Sequence, residues 1–109
     1  LTKKIVLDQP ANMIKVLFAA NCPTTASILV YYKVLEEFDN TTVFDSKNFT
    51  QMTAVNSPAK DSDTTAFRDY DFQVTGLNNF TTLAIKIVML STDTALVPRV
   101  KELRVLALT

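Results

Sequence analysis

Histidine and tryptophan are missing from this chain, glycine and cysteine occur once each, and neither sign of charge predominates. Each shortage excludes something. Without histidine there is no imidazole to act as general base, and no Ser-His or Cys-His pair can form. A single glycine, Gly76, rules out a glycine-rich loop of the kind that cradles phosphate. The lone thiol of Cys22 has no internal disulfide partner, and without histidine it cannot complete a metal site of the usual kind. It reads instead as a small buried hydrophobe at a turn or strand end before Pro23. Eleven basic residues balance eleven acidic ones, so the formal net charge is zero. A nucleic-acid binder draws most of its affinity from phosphate neutralisation and carries a basic excess, which is absent here. Apolar runs are broken by Lys or Thr well short of the roughly 20 residues that a membrane-spanning helix needs.

What is present is alternation. The chain has 109 residues, of which 48% are hydrophobic, enough for one core and one domain over residues 1–109. The first residue is Leu1 and no signal-peptide pattern follows, so the domain is expected to be a piece of a longer chain. In Met13–Ala20, Ile14, Val16 and Phe18 fall on one face. In Ser27–Leu35, Ile28, Val30, Tyr32 and Val34 do the same. Tyr70, Phe72 and Val74 share a face within Phe67–Thr75, as do Leu83, Ile85, Ile87 and Met89 within Thr82–Leu90. A period of two in β-branched and aromatic residues is the mark of half-buried strands. Weaker strands are expected at Lys3–Leu7 and Phe49–Val55, and a last one within Val100–Leu108. Turn residues separate these runs, among them Asp8-Gln9-Pro10, Asn21-Cys22-Pro23, Asn56-Ser57-Pro58 and Gly76 to Asn79. Asn and Asp tolerate left-handed backbone and are expected to do the work that glycine does elsewhere. Seven strands with frequent turns predict an all-β fold, a single antiparallel sandwich, jelly-roll-like. Tyr31–Phe38 and Leu96–Leu106 also carry helical spacing, with Val97, Val100, Leu103 and Leu106 in one stripe, and a period alone does not separate the two readings.

The second faces of three strands are not properly polar. Leu17, Leu29, Tyr31, Val88 and Leu90 stand there beside Lys15, Lys33 and Lys86. A free-standing sandwich shows water a polar outer face, so these eight residues form the candidate interface, with lysine stems lying over apolar neighbours. The plainer reading is that a loop or the chain termini cover them, or that adjacent strands bury both faces.

Other groups carry less. The carboxylates occur as pairs, Glu36 with Glu37, Asp61 with Asp63, and Asp69 with Asp71; on a strand such pairs are ordinarily a solvated face, and no enzyme activity is expected. Asp61 and Asp63 with Ser62, Thr64 and Thr65 offer some calcium-type oxygens, but lack the glycine and distal glutamate of a calcium loop. No metal or other cofactor is expected. Sequons begin at Asn40, Asn48 and Asn79 and read as turn and strand-edge residues. Sugar binding is the main alternative function; its usual tryptophan platform is lacking, and Tyr31 is the one tyrosine outside the expected core faces.

A further indication comes from order and spacing. Pro10-Ala11-Asn12 leads into Lys15-Val16-Leu17-Phe18, followed by Ile28-Leu29-Val30-Tyr31-Tyr32-Lys33 and Phe67-Arg68-Asp69-Tyr70. Then come Phe80-Thr81, Ile85-Lys86-Ile87-Val88-Met89, Val97-Pro98 and Lys101-Glu102-Leu103-Arg104-Val105. This set covers most of the chain and resembles virion structural proteins of contractile-tailed, T4-like phages, in particular tail and baseplate proteins. The resemblance implies a C-terminal β-sandwich module, non-enzymatic, located in the virion tail after assembly in the host cytoplasm. The partners it implies are other virion proteins or further copies of itself, with a host-surface glycan as the alternative, and neither nucleic acid nor membrane. It also favours strand over helix at the C-terminus.

Overall fold

The computed structural model describes residues 2–36, 44–56, 66–92 and 99–109. Within them the alternating segments form strands: β1 (Thr2–Ala11), β2 (Met13–Asn21), β3 (Ala26–Glu36), β4 (Thr50–Gln51), β5 (Thr53–Ala54), β6 (Arg68–Val74), β7 (Phe80–Ser91) and β8 (Arg99–Leu108). They build two four-stranded antiparallel sheets. Sheet I has the order β1-β7-β3-β4 and sheet II the order β5-β6-β2-β8. The two pack face to face as an all-β sandwich. Among the described strands, successive ones lie in opposite sheets except β3 with β4 and β5 with β6.

The core follows from the alternation. Ile14, Val16, Phe18 and Ala20 of β2 turn inward and are buried, as are Leu83, Ile85 and Ile87 of β7, Val30 of β3 and Phe72 of β6. Phe18 stacks on Tyr70 at 5.3 Å and on Phe72 at 5.9 Å between ring centroids, a geometry that adds to the gain from area burial. Cys22 is buried at the end of β2, its thiol turned toward the carbonyls of Pro23 and Ala26.

Three expectations need correction. The expected single strand Phe49–Val55 is two short strands in different sheets, with buried Met52 between them. One segment here crosses from sheet I to sheet II, so it cannot pair continuously with either. The Asp8-Gln9-Pro10 turn is instead the irregular end of β1, where register with β7 jumps between Val6 and Ala11; β1 is an edge strand, where a proline without an N–H is tolerated. Among the described residues, positive φ outside glycine occurs at Glu102 (57°) rather than at any Asn or Asp.

Glu102 also resolves the ambiguity of the C-terminal run. Leu17 pairs with Arg104 and Ala19 with Lys101, so two residues of β8 stand opposite Phe18. This is a β-bulge, which allows Val100 and Leu103, three apart, both to pack against the core. The spacing that imitates a helix is therefore a strand with one inserted residue. A second irregularity, between Leu35 and Glu36 opposite β7, has the same effect for buried Phe80 and Leu83. Leu96 to Pro98, and Glu37 with Phe38, lie outside the described residues.

A left-handed conformation is costly for a residue with a Cβ. Glu102→Gly is expected to stabilise the fold by about 0.5–1 kcal/mol, and Gly76→Ala, at φ 72° in the β6–β7 turn, to destabilise it by about 1 kcal/mol. Urea denaturation of both variants checks the pair. A loss of stability in Glu102→Gly would mean that the bulge does not strain the chain.

Candidate functional site: a lysine and apolar surface

The eight candidate interface residues do not share one surface. Lys15 and Leu17 lie on β2 and face outward from sheet II. Leu29, Tyr31, Lys33, Lys86, Val88 and Leu90 lie on β3 and β7 and face outward from sheet I. The alternation marks each residue as facing away from the core, but not which sheet its strand joins.

On sheet I the pairs Tyr31–Lys86, Leu29–Val88 and Ser27–Leu90 run in ladder order. The chain covers the first of these itself. The segment after β3 returns as a short 3-10 turn, Phe44–Ser46, and lies over the sheet with Phe44 buried. Lys33 is only 8% exposed. Its Nζ donates to the carbonyl oxygens of Phe44 at 3.0 Å and Asp45 at 3.4 Å. It also sits 4.7 Å from the Phe44 ring centre and 4.9 Å from that of Phe49. Lys86 lies between Phe49 and Tyr31, at 4.6 and 5.2 Å, and Lys4 lies over Phe44 at 5.2 Å. A buried ammonium group is unfavourable unless donors are satisfied and charge is met; here backbone carbonyls and ring faces supply both. Lys33 thus tethers the covering segment, and Tyr31, Lys33 and Lys86 are not free docking residues. The loop-cover reading holds for this half of the sheet.

The other half is different. Leu29 and Val88 are half-buried and Leu90 is 51% exposed. The described part of β1 pairs with β7 no further along than Thr2 opposite Lys86, leaving this end of β7 paired on the β3 side.

On sheet II, Lys15 and Asp71 form an ion pair of 3.1 Å, each about a quarter exposed (28% and 22%), so solvent screening limits its worth to below about 1 kcal/mol. Asn56 ties the flanking strand: its Nδ2 donates to the Asp69 carbonyl at 2.9 Å and its Oδ1 accepts from the Asp71 N–H at 3.1 Å. Asp71 therefore sits in a structural network, with its Oδ1 buried and lacking a hydrogen-bond partner among the described residues. Leu17 lies between Asp71 and Arg104 in the ladder. Phe67 carries Lys101 and Arg99 over its ring at 4.2 and 5.6 Å.

One feature escaped sequence reasoning altogether. A cleft of about 440 Å³ opens beside the covering segment, lined among others by Tyr32, Glu36, Ser46, Lys47 and Asn48. Glu36 accepts from Asn78 Nδ2 at 3.2 Å. Most of these residues lie between Tyr32 and Thr50, with Leu77 joining from the turn before β7, and it is the return of the covering segment beside β3, not their spacing, that brings them together. Asn48 and Asn79 of the sequons are exposed, while Asn40 and the calcium-type group from Asp61 to Thr65 lie outside the described residues. Among the described residues, no group of three or more His, Cys, Asp and Glu side chains is arranged to hold a metal ion.

No protein-family model matches this chain, and neither the curated proteins nor the solved structures contain a match.

Lys33→Ala removes the tether and leaves two carbonyls without their donor, and is expected to cost about 2–3 kcal/mol. Lys33→Met keeps the aliphatic stem and should cost less. In both, trypsin should cut at Lys47 faster than in the parent protein. Equal stability of the parent and Lys33→Ala in urea, with equal cutting at Lys47, would remove the tether from the account.

Proposed function

We propose that this chain is a non-enzymatic structural module of a phage virion, part of a tail or baseplate, that acts by packing against other proteins. The observation carrying the reading is the unequal treatment of sheet I. At one end the chain lays its own Phe44 and Phe49 over the sheet, and at the other, among the described residues, Leu90 is left 51% exposed beside half-buried Leu29 and Val88. Adjacent apolar side chains left facing water on a sheet are a feature of docking surfaces. The resemblance of the strand segments to tail and baseplate proteins points to the kind of assembly.

The second reading is attachment to a host glycan, favoured by the polar cleft with Glu36, Ser46, Lys47 and Asn48. Convergent polar groups in a concavity suit sugar hydroxyls. Tyr31 is a weaker stacking platform than its sequence position suggests, because Lys86 occupies one ring face.

The test is the double variant Leu29→Glu with Leu90→Glu. It is expected to fold with an unchanged melting temperature and to be lost from assembled particles. Normal incorporation would overturn the packing role at this face. Retention of a glycan on an array by the parent protein, abolished by Asn48→Ala with Lys47→Ala, would move the conclusion to the second reading.

A further inference from the structure

β8 is the outer strand of sheet II, hydrogen-bonded to β2 on one side and to no described strand on the other. Free edges invite pairing, and proteins block it with charges and bulges. The first half of β8 has both. It carries Arg99, Lys101, Glu102 and Arg104, and its ladder is broken by the Glu102 bulge. The second half, Val105-Leu106-Ala107-Leu108, has neither. It is regular and uncharged, with Leu106 42% and Leu108 40% exposed. Protection stops at Arg104.

We infer that this second half of β8 is a self-pairing edge, which joins sheet II to the same strand of a second copy in antiparallel register about a two-fold axis at Leu106. The inference rests on the packing role proposed above and names one of its surfaces. Antiparallel partners must lie on the same face of the pleat, so the axis passes through a residue. An axis at Val105 would draw Glu102 and its bulge into the ribbon, and one at Ala107 would carry the pairing past Leu108, where β8 ends. Within β8 the axis at Leu106 gives the longest bulge-free pairing. It sets Leu106 against Leu106 of the second copy, Arg104 against Leu108 and Val105 against Ala107. Large faces small on the core side, and no like charges meet. Each row then continues into its own sheet, where Leu106 neighbours Lys15 and Arg104 neighbours Leu17. A patch used identically by both copies closes on itself and stops at a dimer. An acidic peptide is the less suitable occupant, because Val105 to Leu108 carry no cation.

A ribbon this short belongs to the small, weak class of interfaces, with a midpoint expected near about 0.1–1 mM. Sedimentation equilibrium up to several millimolar should show a reversible monomer–dimer equilibrium. Leu106→Lys places two ammonium groups across the axis and should raise the midpoint at least about tenfold, whereas Leu90→Lys should leave it unchanged. Leu106→Thr retains strand preference and serves if the lysine variant fails to fold. Leu106→Cys should form an intermolecular disulfide on oxidation, with little background from buried Cys22. A monomer at all concentrations overturns the inference. So does a dimer indifferent to Leu106 substitutions, or one that Leu90→Lys disrupts. Failure of the packing role is read separately, from particle incorporation of the Leu29 and Leu90 double variant.

Discussion

The structure depends on the inward stripe of β2 meeting that of β7. Ile14, Val16, Phe18 and Ala20 on one sheet and Leu83, Ile85 and Ile87 on the other are buried, and the rest of the fold adjusts to keep them in register. Each fully buried aliphatic or aromatic side chain contributes on the order of 1.5–3 kcal/mol, more than any surface ion pair present. A slip of one residue would turn the whole stripe to water. The bulge at Glu102 is the clearest adjustment. It accepts a left-handed residue so that Val100 and Leu103, three apart in sequence, both reach the core.

The outer faces follow a different logic. Sheet I begins with an outward face too apolar for water, and the chain answers by folding Phe44 and Phe49 back across it. The lysines of this face do not keep it wet but hold the cover in place. Lys33 does so from a buried position, bonded to backbone oxygens. Beyond that cover, Leu29 and Val88 are half-buried and Leu90 is exposed. Among the described residues, sheet II carries on its outer face a screened Lys15–Asp71 pair and the Asn56 clamp. Its β8 margin is guarded by charge and a bulge along only half its length.

This contrast bears on the proposed role. A module buried in an assembly has no need to protect every edge, provided that each bare surface meets a partner. The two unprotected regions lie on different sheets, one on the outer face of sheet I and one at the margin of sheet II, so they suit different contacts. The cleft beside Lys47 is a third kind of surface, polar and concave, and fits the alternative role of glycan attachment better than the packing role.

The sequence by itself determined the all-β class, most strand positions and the inward residues of β2, β3, β6 and β7, because a period of two is a local property of the chain; the exception is Met89, expected on the inward face of β7 but 42% exposed near its end. It also marked which residues point outward. Sheet membership was decided only in three dimensions, since strand pairing joins residues far apart in sequence. That is why Lys15 and Leu17 parted from Leu29, Tyr31, Lys33, Lys86, Val88 and Leu90, and why Phe49–Val55 divided at Met52. The burial of Lys33 was equally hidden. A lysine on an outward position looks solvated until a segment eleven residues away returns to supply its acceptors, and that return is a consequence of packing, not of local preference.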